Sequence, residues 1–198
     1  MSLAERLRIA LREGAVASPD LLPGDGHDIV PQESLLTPAA VLVAVTDRAE
    51  PGLLLTLRSA SLRKHAGQVA FPGGRIDPED ADAVAAALRE AEEEIGLPPA
   101  QVEIVGSVDP YHTVTGFEVT PVIGVVPPDL VFRPHAAEVD DVFEVPFAHV
   151  LAAANHDRKT VQFHGRDRQY YEIMWNERRI WGATAAMIVN LSRRLGYL

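Results

Sequence analysis

The chain has 198 residues, of which 47% are hydrophobic and 23% charged, with a formal net charge of −10 and no cysteine. That length suits one substantial domain, the lack of cysteine excludes disulfides, thiolate metal sites and a cysteine nucleophile, and the acidic balance argues against a nucleic-acid partner, which needs a basic footprint. No apolar run approaches the roughly 20 residues that span a bilayer and no basic-then-apolar signal opens the chain, so a cytoplasmic protein with no membrane partner is expected.

In chain order, residues 3–13 alternate charge and hydrophobe as a short amphipathic helix. The stretch 18–33, rich in Pro, Gly and Asp, reads as an arm or loop over the surface and a candidate for a subunit interface. Residues 39–46 predict a buried strand, and 52–58 its antiparallel neighbour across a turn at 47–51. A polar loop, 59–66, precedes a short extended piece, 68–71, that ends at Pro72-Gly73-Gly74. Residues 84–95 carry Val84, Ala87, Leu88, Ala91 and Ile95 on one helical face. Asp77-Pro78 or Asp80 can cap that helix, and Gly96 with Pro98 stops it.

Further strands are expected at 102–108, 117–126 and 142–145, a helix at 146–154, a hairpin from 160–163 and 170–175, and a terminal helix at 183–195. Strands interleaved with a few helices, several joined by hairpin-length turns, imply an α/β fold with a mixed sheet and helices on its faces.

The informative segment is Arg89-Glu90-Ala91-Glu92-Glu93-Glu94-Ile95-Gly96-Leu97. At 3.6 residues per turn, Glu90 and Glu94 lie one turn apart with Glu93 beside both, all directed away from the apolar stripe. Like charges at that spacing destabilise a helix by roughly 0.2–0.5 kcal/mol per pair, and the negative end of the helix dipole adds to the repulsion. An exposed acidic face is the simple explanation for such a run. The Phe71-Pro72-Gly73-Gly74 turn upstream, whose glycines let the backbone approach a ligand closely, favours a hard divalent cation such as Mg2+, which takes oxygen ligands.

Strand, Gly-Gly, loop, glutamate-rich helix and Gly together resemble the Nudix box, Gly-x5-Glu-x7-Arg-Glu-U-x-Glu-Glu-x-Gly-U with U apolar. Gly74 opens it here, and Arg89, Glu90, Glu93, Glu94, Gly96 and Leu97 match its second half. The chain departs from the pattern in two ways. Fourteen residues rather than thirteen separate Gly74 from Arg89, so the first glutamate falls on Glu79 or Asp80, and the first U is the small Ala91.

The resemblance implies a Nudix α/β/α sandwich spanning residues 1–198, with 1–36 as an N-terminal helix and arm. It makes Glu90 and Glu94 ligands of Mg2+, with Mn2+ as a substitute, and Glu93 either a further ligand or the activator of water. The Gly73 carbonyl is a candidate ligand, Arg89 an orienting partner of Glu93, and Glu138 an extra carboxylate serving as ligand or base.

Upstream of the box, the run from Leu54 through Thr56, Arg58, Ser59, Arg63, Lys64 and Gly67 to Phe71-Pro72-Gly73-Gly74 resembles the motif of the coenzyme A pyrophosphatases of that superfamily. Coenzyme A carries a 3′-phosphate besides its pyrophosphate. Arg58, Arg63, Lys64 and His65 gather positive charge within eight positions of an otherwise acidic chain, and guanidinium groups suit phosphate oxygens. Arg58, Arg63, Lys64 and Gly74 are therefore the expected substrate contacts. The expected partner is a small molecule, coenzyme A or a relative, bound by a monomer or homodimer.

The same chemistry on ADP-ribose, a dinucleoside polyphosphate or a nucleoside triphosphate is the alternative. A non-catalytic Nudix-fold module, expected to have lost a helix carboxylate, is a more distant one. Tyr111, His112, Trp175 and Trp181 read as loop or core residues, and the remaining histidines show no metal spacing.

Overall fold

The computed structural model describes residues 1–25, 36–163 and 166–197 of the chain. Helix α1 (Leu3–Ala17) starts with a capping box in which the Ser2 hydroxyl accepts from the Glu5 N–H and the Glu5 carboxylate from the Ser2 N–H. It runs four residues beyond the expected span, supported where Arg194 donates to the Gly14 carbonyl at 3.0 Å.

Strands β1 (Thr37–Thr46) and β2 (Gly52–Arg58) follow, then the two-residue β3 (Val69–Ala70) and β4 (Gly73–Arg75). Helix α2 (Ala83–Ile95) comes next, then β5 (Glu103–Ser107), β6 (Tyr111–His112), β7 (Phe117–Val126) and β8 (Val139–Pro146). Helix α3 (Phe147–Leu151), the hairpin strands β9 (Asp157–Phe163) and β10 (Arg166–Trp175), β11 (Arg178–Trp181) and helix α4 (Ala183–Arg194) complete the order.

The main sheet runs β3-β2-β1-β7-β5, with β8 also on β2, β4 on β1 and β6 on β7. It is mixed because β1 and β7 lie parallel along their whole length while the other pairs are antiparallel. Period-two alternation along its strands supplies both faces. Ala40, Leu42 and Ala44 of β1, Leu54 of β2 and Val122 of β7 pack with Ala87, Ala91 and Ile95 of α2. Val43, Val45, Leu53 and Leu55 point the other way, onto Leu3 and Leu7 of α1, Val150 and Leu151 of α3, and Ile188 and Leu191 of α4. The result is the expected α/β/α arrangement, with each fully buried Leu or Ile worth about 1.5–3 kcal/mol.

One edge of β1 positions the site. Val45 and Thr46 pair with β2, whereas Ala39, Ala40 and Val41 pair with Arg75, Gly74 and Gly73. The β2 strand diverges halfway along β1 and the Gly-Gly segment takes its place, held further by the Leu42 N–H on the Pro72 carbonyl at 2.8 Å. What the sequence presents as a turn is thus a strand, fixed in the sheet beneath α2.

Several boundaries differ from the expectations. Asp82, rather than Asp77 or Asp80, caps α2, its carboxylate accepting from Ala85 N–H at 2.8 Å. The β8 strand begins at Val139 and takes in Pro146, so α3 is short and is followed by a separate turn at Ala153–Asn155. The hairpin is longer than expected and gains a third strand, β11, not anticipated from the sequence.

The described part of the arm is tied down: the Asn190 amide makes two 2.8 Å bonds to the Leu22 backbone. The Asp25 carboxylate accepts from the Tyr111 hydroxyl and the Val114 N–H, both at 2.8 Å, and pairs with Arg168. The rest of the expected surface arm, 26–33, lies outside the described residues, as do His27 and His164. Among the described residues no helix is long and apolar enough to cross a membrane.

Candidate active site

Arg89 organises the centre. Its Nε meets Asp80 Oδ1 at 3.0 Å and its second terminal nitrogen meets Oδ2 at 2.9 Å, a two-point clasp. The same guanidinium donates to the Arg75 carbonyl at 3.1 Å, to Glu90 at 3.0 Å and to Glu93 at 3.2 Å. One side chain thereby joins β4, the loop before α2 and the helix itself. The clasp holds the Asp80 carboxyl below its ordinary range, and hydrogen bonding to Asp80 raises Arg89 further. Glu79, the other candidate for the loop acid, is exposed. Asp80 is therefore the one of the two loop acids that meets Arg89.

Glu90 and Glu94 approach the two glycines from above. A Cβ on Gly74 would lie 2.4 Å from Glu90 Oε1, so the glycine is what allows the carboxylate this close to the strand. Gly73 has φ +154° and no room for a Cβ beside the Ala40 carbonyl; its N–H donates to Glu94 Oε2 at 3.1 Å. The helical pattern directs Glu94 away from the apolar stripe, and the structure buries it nonetheless, at 3% exposure. Arg58, Gly73 and the 133–135 segment cover it: Arg133 and His135 N–H groups bind the Ile95 and Glu94 carbonyls, each at 2.8 Å. Burial pushes the Glu94 carboxyl up to about 7, against the opposing pull of the Gly73 N–H and Arg58, with Glu90 and Glu138 adding to the rise. Burial also raises Glu90, partly offset by Arg89.

Arg58, expected to contact substrate, faces Glu94 Oε1 at 3.5 Å. Arg63 and Lys64 stand exposed in the loop before β3 and make no hydrogen bond or ion pair with the described residues. That loop is anchored at its base, where the Ser59 N–H reaches the Glu138 carbonyl and the Ala60 N–H the Asp140 carboxylate. Glu138 itself is 45% exposed, pairs with His135 at 3.3 Å, and lies close enough to raise Glu90 and Glu94. Glu93 is far more open than Glu90 or Glu94, its side chain 61% exposed and turned to Arg89.

Tyr111 and His112 are absorbed by structure, bonding to Asp25 and Glu118. Burial and the Asp25 charge drive the Tyr111 hydroxyl up, away from ionisation. Trp175 packs on His149, and Trp181 on Tyr170 and Arg179.

Among the described residues no three His, Asp or Glu side chains converge closely enough to hold a metal ion as they stand. The donor set still fits a hard cation: Glu90 and Glu94 are both desolvated, both raised, and share the Gly73-Gly74 segment. A divalent ion prefers this kind of oxygen site, and it offsets the cost of burying the charge.

The pattern of the NUDIX domain matches residues 36–165. A protein of Escherichia coli K12 named uncharacterized Nudix hydrolase NudL is 48% identical over 158 residues, 80% of this chain and 82% of that one. Its namesake in Shigella boydii is 48% identical over the same shares. Among solved structures, the M. smegmatis Nudix hydrolase RenU superposes with a TM-score of 0.51 at 25% identity, over 63% of this chain and 83% of that one.

Proposed function

This chain belongs to the Nudix domain family, and from that premise we propose that it hydrolyses the pyrophosphate bond of coenzyme A to 4′-phosphopantetheine and 3′,5′-ADP, using Mg2+ or, in its place, Mn2+. The observation that carries the metal chemistry is the buried Glu94 carboxylate on the Gly73 N–H, beside Glu90 seated on Gly74. A bound divalent ion supplies charge neutralisation on the pyrophosphate and a lowered pKa for water.

In that scheme Glu90 and Glu94 hold the ion, with the Gly73 peptide alongside. Arg89 fixes the rotamers of Glu90 and Glu93 through its clasp on Asp80, a positioning rather than a catalytic role. Water attacks one phosphorus as the bridging P–O bond breaks, and a carboxylate takes the proton. Glu93 and Glu138, the two exposed acids at the rim, are the candidates for that transfer. Substrate choice rests on Arg63 and Lys64, which make no hydrogen bond or ion pair among the described residues and stand on the loop before β3, as contacts for the extra phosphate of coenzyme A.

The test is a substrate panel with Mg2+, with products resolved by chromatography. Coenzyme A should be consumed with the two products in equal amounts. A clear preference for ADP-ribose or a nucleoside triphosphate would end the coenzyme A assignment and leave a hydrolase of another nucleotide.

A further inference from the structure

Two arginines meet the acidic centre, and they meet it differently. Arg89 is clasped at two points by Asp80 and bonded to three other groups. Arg58 makes a single ion pair with Glu94 at 3.5 Å, longer than the roughly 2.7–2.9 Å of a tight charge-assisted hydrogen bond. The Arg58 backbone is fixed, its N–H on the Gln68 carbonyl at 2.9 Å and its carbonyl accepting from Gly67 at 3.0 Å. The side chain remains 26% exposed. It is a long arm on a rigid base, its cation loosely held on the more buried member of the candidate metal pair and partly open to solvent.

We propose that Arg58 is an exchangeable cation: it compensates the buried Glu94 charge until a divalent ion takes that carboxylate, and the displaced guanidinium then contacts the substrate's phosphates. This rests on the metal-hydrolase assignment above and adds a residue that couples metal loading to substrate binding. Two features of the site support the hand-over. Leaving an ionised Glu94 buried with no cation is costly, so its carboxylate form calls for a compensating positive charge. A guanidinium that gives up one carboxylate retains a fork suited to phosphate oxygens. Arg58 thus competes with the ion for Glu94 and cooperates with it for substrate, so a single substitution should move the two affinities in opposite directions.

The experiment measures Mn2+ binding to the substrate-free full chain by electron paramagnetic resonance, and KM for the substrate at saturating metal. It compares wild type, Arg58→Ala, the better space-filling Arg58→Gln, and Arg63→Ala as a control for loss of charge at a distance, each checked for native melting. Relief of competition in both Arg58 variants should tighten Mn2+ binding about five- to tenfold while KM rises, and Arg63→Ala should leave the Mn2+ affinity unchanged. Mn2+ binding unchanged or weakened in both Arg58 variants overturns the exchange, as does equal tightening in Arg63→Ala, which would mark a diffuse field. An unchanged KM overturns the hand-over to substrate. If wild type binds no Mn2+, the metal assignment falls and this inference falls with it; each other negative result strikes the role of Arg58 alone.

Discussion

Arg89 and Asp80 are joined at both ends of the guanidinium fork, at 3.0 and 2.9 Å, across the nine positions that separate the loop before α2 from the middle of that helix. The clasp leaves the remaining Arg89 donors aimed at Glu90, Glu93 and the Arg75 carbonyl. The orientation of the acidic helix face is therefore set by a residue outside the helix.

Arg89→Lys keeps the charge but cannot reproduce a two-point clasp, so kcat should fall about ten- to hundredfold with the fold retained. Asp80→Ala should lower kcat in the same sense, and Glu79→Ala should behave as wild type because Glu79 is exposed. Steady-state kinetics on the three variants checks the pairing; a loss at Glu79 equal to that at Asp80 would show that the loop acid is misassigned.

Gly74→Ala separates site from fold. The added Cβ would sit 2.4 Å from Glu90 Oε1, the far end of a flexible side chain that can swing aside. Stability should thus change by no more than the roughly 1–3 kcal/mol of overpacking, while kcat/KM falls at least about tenfold as Glu90 is displaced. Gly73→Ala meets the Ala40 carbonyl at 2.4 Å and a φ of +154°, and should cost the fold itself. Melting curves and kinetics run side by side distinguish the two, and full activity in folded Gly74→Ala would remove Glu90 from the chemistry.

Which parts of this site were legible in the sequence follows from how local each part is. The α2 stripe of Ala87, Ala91 and Ile95 is a property of one helix, and those residues are buried as expected. The layered α/β/α order likewise follows from strand and helix periodicities. Helical geometry directs Glu94 away from the apolar stripe but does not reveal its burial, because its cover comes from Arg58, Gly73 and residues 133–135, all distant segments. The Asp80 and Glu79 ambiguity has the same origin, since loop spacing does not say which side chain turns back to Arg89. Asp82, the actual cap, lies one residue before the helix. Pro72-Gly73-Gly74 looked like a turn because glycine is rare inside strands; here it marks the close approach of Glu90.

Glu94→Gln should divide metal from fold. The amide can keep the Gly73 hydrogen bond, yet it does not carry the burial penalty that pushes the carboxyl up to about 7. In chelator the variant should therefore melt no lower than wild type. Magnesium binding to the folded state stabilises by about 2.7 kcal/mol at a hundred times its Kd, so wild type should gain in Tm across millimolar Mg2+ and the variant should not. Turnover in the variant should fall by about two orders of magnitude or more. Near-normal Mg2+-dependent activity in folded Glu94→Gln would sink the metal assignment.

Arg63 and Lys64 carry the prediction about substrate. With Arg58 turned to Glu94 and His65 bonded to Gln68, these two exposed cations are the members of the basic run whose side chains make no hydrogen bond or ion pair among the described residues. They sit on a loop whose base is pinned by Glu138 and Asp140, so their reach is limited to the neighbourhood of the site. A charge-assisted contact to phosphate contributes roughly 1.5–3 kcal/mol, or about one to two decades in specificity. Dephospho-coenzyme A lacks only the 3′-phosphate, and wild type should disfavour it in kcat/KM by about that factor. Arg63→Ala or Lys64→Ala should shrink the preference while turnover of dephospho-coenzyme A stays nearly constant, and Tm should hold because neither side chain is packed. Equal kcat/KM for the two substrates in wild type would remove the 3′-phosphate from recognition. A preference that survives both substitutions would shift its origin away from this loop, with Arg58 the next residue to test.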